Sequence, residues 1–328
     1  SLQIQPGVGV PLMTFPEYRH CQLCPRRCGV DRTGGMTGFC GESDRLHIAS
    51  IGAHFGEEPP LVGTDGSGTV FFSGCPCGCF FCQNYQLSSG HLGDYLTIDD
   101  AVERILSLAE TGVRNINFVT PDHFWPHIRV ILTQLRRRGC QLPAVWNTSG
   151  YCRTQLLEEQ SELVDIFLPD FKYADGALAQ RCMGRGDYPE VALAGIRLLV
   201  DRCGFLRPFD ESGEIPASHG VLVRHLVLPG EVENSLSALR LLHRHFGDGL
   251  PISVMRQFRP MPECHRRHDL VRMVSDDEYG AVVDLVDRLG FRRVFIQPDC
   301  GDPGFVPDFT HTRQPFAGNA SRGGHCQE

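Results

Sequence analysis

The sequence predicts an α/β fold in which strand–helix units build a mostly parallel sheet. Two observations lead to this prediction: short apolar runs alternate with helical segments, and six or seven such units follow one another along the 328 residues. The runs are continuously apolar, as expected for parallel strands that helices cover. This alternation is typical of a TIM-like barrel or of an open doubly wound sheet. No dinucleotide-binding glycine motif or P-loop follows any of the runs.

Capping residues and apolar runs place the individual elements. Thr97 or Asp99 can cap the first long helix, and a Ser275-x-x-Glu278 capping box opens the last one. Each helix follows a strand, so the polar residues at the strand ends are expected on one rim of the fold. The predicted strands lie at 69–73, 115–119, 143–147, 163–168, 220–228, 251–258 and 293–297, and the predicted helices begin near residues 97, 126, 152, 189, 234 and 275.

Composition is that of an ordinary soluble globular protein, with 41% hydrophobic and 21% charged residues. The net charge of −8 argues against general nucleic-acid binding. No run approaches the roughly 18 apolar residues that cross a bilayer, and no basic segment followed by an apolar one opens the chain. We therefore expect a cytoplasmic protein without nucleic-acid or membrane partners. Fifteen cysteines, clustered at C-x2-C and C-x3-C spacings, then indicate metal binding and not disulfides.

The loop after the first predicted strand carries the most specific pattern. Residues 74–85 read G-C-P-C-G-C-F-F-C-Q-N-Y, in which Cys75, Cys79 and Cys82 have the spacing C-x3-C-x2-C. Three thiolates can hold three corners of a [4Fe-4S] cluster and leave one iron open, whereas a closed site normally has four ligands. A zinc knuckle or a set of buried thiols is the alternative reading. We interpret Cys77 as a bystander, although Cys75–Cys77 and Cys77–Cys79 are also possible ligand pairs.

Residues 68–88 resemble the cluster loop of radical S-adenosylmethionine (SAM) enzymes, and more narrowly that of the pyruvate formate-lyase activating enzyme-like branch. Phe81, aromatic and directly before the third cysteine, is part of this resemblance, which covers roughly residues 20–305. The resemblance implies a partial (β/α)6 TIM-like barrel of the radical SAM type with a small N-terminal cysteine-rich metal-binding segment. The expected division is 1–60 for this segment, 61–310 for the barrel and 311–328 for a flexible tail.

The resemblance also implies roles for polar residues at the strand ends. N-T-S-G at 147–150 resembles the motif that holds the SAM ribose, and P-D-F-K at 169–172 resembles the acidic-x-lysine motif beside SAM. Arg224-His225 resembles the basic pair on the following strand. Lys172 is also the only lysine among 31 basic residues. Any one of these residues alone could be a cap or turn residue, but together they fall on one rim.

One element of the activases differs here. Their Gly-Gly-Glu turn after the second strand, which holds the SAM amino group, is replaced by Thr120-Pro121-Asp122. We predict Asp122 first, and Thr120 second, as the contact to that amino group. The predicted catalytic residues are Lys172 and His225, and the predicted cofactor-binding residues are Phe81, Thr120, Asp122, Asn147, Ser149, Asp170 and Arg224.

A second cysteine cluster precedes the predicted barrel. Cys21, Cys24, Cys28 and Cys40 lie within twenty residues among Gly and Pro, which is typical of a four-thiolate site. A segment of about 40 residues buries little core, so a bound metal would stabilise it. Zinc and an iron–sulfur cluster both fit the spacing. A similar stretch accompanies the radical SAM core in one subgroup of the branch that this chain resembles.

The resemblance implies a reaction and leaves several substrates open. SAM would bind the open iron, an electron from a flavodoxin or ferredoxin would break its sulfonium–carbon bond, and the 5′-deoxyadenosyl radical would abstract a hydrogen atom. The first hypothesis is a glycyl-radical-activase-like enzyme that acts on a protein. The second is radical modification of another peptide or of a small molecule. The third, from a different class, is a non-catalytic iron–sulfur or zinc protein.

Overall fold

The computed structural model describes residues 14–297, 306–311 and 315–316. Continuous apolar runs form its strands, several of which are buried along their whole length. The strands are β1 His47–His54, β2 Ser67–Phe72, β3 Asp94–Tyr95, β4 Ile116–Val119, β5 Ala144–Thr148, β6 Ile166–Pro169, β7 Gly220–Val221, β8 Val223–Leu226, β9 Ile252–Met255 and β10 Val294–Ile296.

Helices alternate with these strands and cover them. Two of the predicted N-termini are confirmed, since Thr97 and Ser275 each form a capping box with the acidic residue three positions on. The helices are α1 Pro59–Val62, α2 Tyr85–Ser88, α3 Ile98–Ala109, α4 Trp125–Arg137, α5 Thr154–Gln160, α6 Gly176–Met183, α7 Tyr188–Cys203, α8 Val232–Phe246, α9 Pro262–Arg267 and α10 Asp276–Leu289.

The strands form a seven-stranded sheet in the order β3-β1-β2-β4-β5-β6-β7 and a three-stranded sheet in the order β10-β9-β8. All neighbours from β2 to β7, and those within the second sheet, are parallel. The predicted α/β class with a mostly parallel sheet is therefore confirmed. If β7 and β8 are counted as one interrupted strand, the chain from β2 to β10 contains six strand–helix units and a final strand.

That interruption joins the two sheets. The sequence predicts one strand over 220–228, but Leu222 separates β7, which pairs with β6, from β8, which pairs with β9. The backbone N–H of Leu222 still bonds the Phe167 carbonyl, and Asp170 forms a parallel bridge with Arg224. The strand thus passes from one sheet to the other. Within the described ranges β10 pairs only with β9, so the barrel is not closed.

Strand β1 was not predicted and belongs to the main sheet. It pairs antiparallel with β2 over most of its length and with β3 at its start. It lies inside the segment 1–60 that the sequence sets apart, so the sheet begins before the expected boundary at residue 60. Residues 1–13 of that segment lie outside the described residues.

Most of the predicted tail 311–328 also lies outside the described residues. Phe316, which is described, is buried against the main sheet, and its ring centroid lies 4.1 Å from that of His54 and 5.9 Å from that of Phe71. An aromatic side chain gains free energy by leaving water, which accounts for this packing, and the flexibility of the tail stays a prediction. None of the described helices is long and apolar enough to cross a membrane.

Candidate functional site

A cavity of about 860 Å³ opens at the carboxyl ends of the parallel strands. This is the rim where ligands bind in barrels and open α/β sheets. The cavity brings together the loop after β2 and the residues that end β4, β5 and β6. Of the predicted site residues, it is lined by Cys75, Cys79, Phe81, Cys82, Thr120, Asn147, Ser149, Asp170, Lys172 and Arg224.

The cysteine loop leaves β2 through a turn that requires glycine. Gly74 has a φ of +76°, and a Cβ there would lie 2.5 Å from the Cys40 carbonyl oxygen. Gly78 has a φ of +69°, and a Cβ there would lie 2.7 Å from the ring of Phe39. Both glycines therefore let the loop approach the N-terminal segment while its thiols line the cavity. Cys77 lines the cavity as well.

The loop thiols differ in their electrostatic environment. A hydrogen bond from Cys77 is the main reason why the pKa of Cys79 falls to about 7, with Lys172 adding to the effect, although burial opposes it. The pKa of Cys77 is raised, first by this same hydrogen bond and then by burial. Burial also raises the pKa of Cys75 and of Cys82. Cys79 is thus the thiol most readily present as the thiolate that metals bind, with Cys77 protonated beside it.

These thiols are donors of the kind that an iron–sulfur cluster takes. Within the described ranges, no group of three or more His, Cys, Asp or Glu side chains surrounds one metal-ion position. A [4Fe-4S] cluster binds each thiolate through a different iron, so its ligands need not converge on one point. The described cysteines are all free, so none of the three is consumed by a disulfide. Soft thiolates are the usual donors for such a cluster.

The N-T-S-G turn after β5 is held against the next strand. Gly150 has a φ of +77°, and a Cβ there would lie 2.0 Å from the Asp170 carbonyl oxygen. The Tyr188 hydroxyl lies 2.9 Å from the Ser149 carbonyl and 2.8 Å from the Asp170 carbonyl. The close approach is possible only for glycine. It sets Asn147 and Ser149 beside Asp170 on the cavity wall.

Asp170 and Lys172 form an ion pair at the end of β6. Burial is the largest single effect and lowers the pKa of Lys172, but the Asp170 carboxylate and the neighbouring cysteines Cys79 and Cys77 together raise it above its ordinary value. The ammonium is therefore charged and lies close to the loop thiols. Its backbone is also fixed, because the Lys172 N–H lies 3.0 Å from the Tyr188 hydroxyl and its carbonyl accepts from Asn234 at 3.0 Å.

Thr120 and Asp122, the two candidates for the SAM amino group, are placed differently. Thr120 lines the cavity and has a φ of +53°, a strained conformation for a β-branched residue. Asp122 is not among the cavity residues. Its carboxylate accepts from the Trp146 Nε1–H at 3.0 Å and from the Thr148 hydroxyl at 2.9 Å. Thr120 thus faces the cavity, whereas the Asp122 carboxylate bonds its neighbours, and their roles toward the SAM amino group stay a prediction.

The two residues of the basic pair on β8 also lie in different surroundings. Arg224 lines the cavity, where its Nε donates to Glu58 at 3.0 Å and its Nη2 contacts both Glu57 and Glu58. His225 is buried outside the cavity lining and bonds the Phe171 carbonyl through Nδ1 at 2.6 Å and Ser235 through Nε2 at 2.9 Å. Both ring nitrogens have partners within the fold, and the catalytic role of His225 stays a prediction. Alternation along a strand puts adjacent side chains on opposite faces.

Glu57 and Glu58 are cavity residues that the sequence did not single out. Burial alone would raise the pKa of Glu58, but Arg224 lowers it, while the two glutamates together raise the pKa of Arg224. The Glu58 carboxylate and the Arg224 guanidinium thus stay charged in a buried position, with Glu57 as a second partner of the guanidinium. The only signal in the sequence is the run H-F-G-E-E-P-P at 54–60, which has no recognisable spacing to the rim residues.

The four N-terminal cysteines lie near one another in a segment that packs against the cysteine loop. Burial is the main reason why the pKa of Cys24 is raised, and the neighbouring cysteines Cys40, Cys21 and Cys28 each add to the rise. Arg26, between them in sequence, donates to the Pro76 carbonyl at 2.9 Å and to the Cys77 carbonyl at 2.7 Å. The segment is therefore attached directly to the loop that carries the first three thiols.

Several known proteins are similar to this chain. SuiB of Streptococcus suis, bound to the precursor peptide SuiA, matches with a TM-score of 0.45 and 11% identity over 68% of this chain, which spans only 46% of SuiB. The methylornithine synthase PylB matches with a TM-score of 0.46 and 14% identity over 83% of this chain and 67% of that one. A domain of pyruvate-formate lyase-activating enzyme from Bacteroides vulgatus matches with a TM-score of 0.35 and 16% identity over 52% of this chain and 91% of that one.

Sequence comparison adds a relative and a family. An uncharacterized protein of Methanocaldococcus jannaschii is 25% identical over 286 residues, which cover 85% of this chain and 77% of that protein. The family model of the radical SAM superfamily matches residues 69–242, just over half of the chain. The match begins in β2, includes the cysteine loop and ends in α8. The chain belongs to the radical SAM superfamily.

Proposed function

We propose that this chain cleaves SAM reductively and uses the resulting radical to abstract a hydrogen atom from a substrate. Membership of the superfamily implies a [4Fe-4S] cluster and SAM. One observation carries the proposal for this particular chain: the three loop thiols, the N-T-S-G turn and the Asp170–Lys172 pair line one cavity. A bound cluster supplies the electron that breaks the sulfonium–carbon bond of SAM.

The protein's own residues bind and orient the reactants. Cys75, Cys79 and Cys82 hold the cluster through their thiolates. Asn147 and Ser149 offer an amide and a hydroxyl to the ribose of SAM. These groups project from strand ends and from a turn that close packing fixes, which is the arrangement that keeps reacting groups aligned.

Other cavity residues carry charge that can orient the rest of SAM. Asp170 and Lys172 offer a carboxylate and an ammonium next to the loop, and Thr120 lines the wall where the activases have their Gly-Gly-Glu turn. Arg224 is neutralised by Glu57 and Glu58, so it orients groups through hydrogen bonds instead of attracting anions. Phe81, Phe258 and Phe295 add apolar walls that limit the access of water.

The substrate that we favour is a protein, on which the chain would generate a glycyl radical. A second candidate is another peptide or a small molecule, which would share the cavity of about 860 Å³ with SAM. A flavodoxin or ferredoxin is the proposed electron donor. A low-temperature radical signal on a partner protein, with hydrogen transfer from glycine, would separate the first candidate from the second.

The basic test of the proposed function is SAM cleavage. The protein is reconstituted with iron and sulfide without oxygen, and SAM and dithionite are added. We expect 5′-deoxyadenosine to accumulate in proportion to cluster content. An intact cluster without any 5′-deoxyadenosine would instead support the non-catalytic carrier.

We also propose that Cys21, Cys24, Cys28 and Cys40 bind a second metal centre. Four reduced thiols that lie near one another are a complete ligand set for zinc or for an iron–sulfur cluster. Gly38 supports the arrangement, since a Cβ there would lie 2.7 Å from the Cys28 sulfur. The thiols do not surround a single-ion position as they stand, so a zinc ion would have to draw them together.

A protein without the first three thiols should retain the second centre. After replacement of Cys75, Cys79 and Cys82 by Ala together, we expect elemental analysis to find about one bound zinc per chain, or iron together with sulfide. A further Cys28→Ser change should remove that metal, whereas Cys203→Ser, at a half-buried cysteine of α7, should not. A folded triple variant without zinc, iron or sulfide would disprove the second centre.

A further inference from the structure

We infer that Tyr173 and Cys77 donate hydrogen bonds to the Cys79 sulfur and thereby raise the reduction potential of the cluster that Cys79 helps to hold. The inference rests on the proposed function, because it requires Cys79 to be a cluster ligand. It assigns roles to two residues outside the C-x3-C-x2-C motif. Neither residue would touch SAM chemistry directly, so both are positioning residues that act through Cys79.

Tyr173 contacts the Cys79 sulfur through its hydroxyl group. The Tyr173 side chain is fully buried, and its Oη lies 3.2 Å from the Cys79 Sγ. Its ring is fixed against Tyr188 in an edge-to-face contact with 5.0 Å between centroids. A thiolate ligand has no proton of its own, so the tyrosine must be the donor once Cys79 binds iron.

Cys77 reaches the same sulfur from within the loop. Its Sγ lies 3.5 Å from the Cys79 Sγ and 3.6 Å from the Met183 Sδ, and its side chain is 1% exposed. The Cys77 carbonyl accepts from Arg26 at 2.7 Å, and the Met183 carbonyl accepts from Arg26 at 2.6 Å. The guanidinium therefore fixes the backbone on both sides of the thiol. A buried S–H in this position has only sulfur acceptors, and the thiolate is the better one.

Hydrogen bonds to ligand sulfurs are one of the terms that set cluster potentials. A donor stabilises negative charge on the sulfur, and the reduced cluster carries one more electron than the oxidised one. Two donors on one ligand therefore favour reduction. Because Tyr173 and Cys77 are both buried, water cannot replace either donor without entering the packed loop.

The test is a potentiometric titration of the reconstituted full-length protein, followed by electron paramagnetic resonance. The signal that changes when SAM is added identifies the cluster with the open iron, and its midpoint is then measured without SAM. For Tyr173→Phe we expect the ratio of reduced to oxidised cluster at a fixed potential to fall about tenfold, a negative shift of about 59 mV for a one-electron couple. Cys77→Ala should shift the midpoint in the same direction by less.

Two matched substitutions elsewhere in the protein serve as controls for the change in midpoint potential. Tyr279→Phe removes the hydroxyl of another buried tyrosine, which bonds the Val254 carbonyl at 2.9 Å, and Cys264→Ala removes another buried thiol. Both should leave the midpoint unchanged. If Tyr173→Phe and Cys77→Ala assemble the cluster with midpoints equal to these controls, or shifted positively, the inference is wrong. If Tyr173→Phe does not fold, Cys77→Ala alone decides. A wild type without a SAM-responsive cluster would instead refute the proposed function.

Discussion

Alanine in place of Cys75, Cys79 or Cys82 is expected to abolish 5′-deoxyadenosine formation and to leave the protein folded. Each of these thiols holds a different iron of the proposed cluster, so the loss of any one should destroy the site. The fold should persist because most of the main core consists of buried apolar side chains of the strands and helices, and the replaced thiols contribute little of it. Alanine in place of Cys77 should retain both the cluster and SAM cleavage.

The measurement is 5′-deoxyadenosine per chain, with iron, sulfide and circular dichroism determined on the same samples. We expect turnover below detection for the three ligand variants and at least about a tenth of wild-type turnover for Cys77→Ala, whose lost hydrogen bond changes the potential but not the ligand set. The assignment of ligands would be wrong if Cys77→Ala lost the cluster while Cys79→Ala kept it. Cys264→Ala, at a buried cysteine of α9, is the control for the substitution itself.

The main features of the fold could be predicted because they depend on local patterns. Continuous apolar runs and helix caps locate strands and helices from neighbouring residues alone. Helix α6 is not predicted, because Asp175 and Gly176 are typical turn residues. In the structure Asp175 caps this helix by accepting from the Ala177 N–H. Strand β1 is not predicted either, because the polar residues His47 and His54 at its ends interrupt the apolar pattern of a strand that pairs with β2.

The site could be predicted only where its residues form a motif. Residues of the cysteine loop, of N-T-S-G and of P-D-F-K line the cavity, since each motif lies at the carboxyl end of a buried strand. Asp122 and His225 also stand at strand ends, but their neighbours supply partners that turn them inward. Glu57 lies far from Arg224 in sequence, and only the fold reveals that they meet. Side-chain direction and long-range pairing are decided by packing, which sequence patterns do not contain.

Lys172→Arg is expected to cost most of the activity, although it conserves charge. The ammonium pairs with Asp170 in a half-buried position, and both residues line the cavity beside the loop thiols. Arginine carries a wide planar fork with five donors, whereas lysine carries a compact charge. The guanidinium cannot occupy the ammonium position without displacing Asp170 or whatever binds in the cavity.

The expected loss is about a hundredfold, the size that small misplacements of reacting groups produce. It is measured as 5′-deoxyadenosine formation at equal cluster content, with the midpoint of thermal unfolding as a check on stability. Arg292→Lys, the reverse exchange in an ion pair with Asp248 at the surface, should change neither quantity. Lys172→Met should also lose activity, because it removes the partner of Asp170.

The alternative is that the lysine is an accident of a composition that otherwise uses only arginine for positive charge. In that case either cation would serve, and Lys172→Arg would turn over within about twofold of wild type, well inside what a misplacement costs. The structure argues against this outcome. The Lys172 backbone is fixed at both ends by Tyr188 and Asn234, so the side chain has no freedom to adapt by moving its main chain. The longer, forked guanidinium of the variant would then have to occupy part of the cavity.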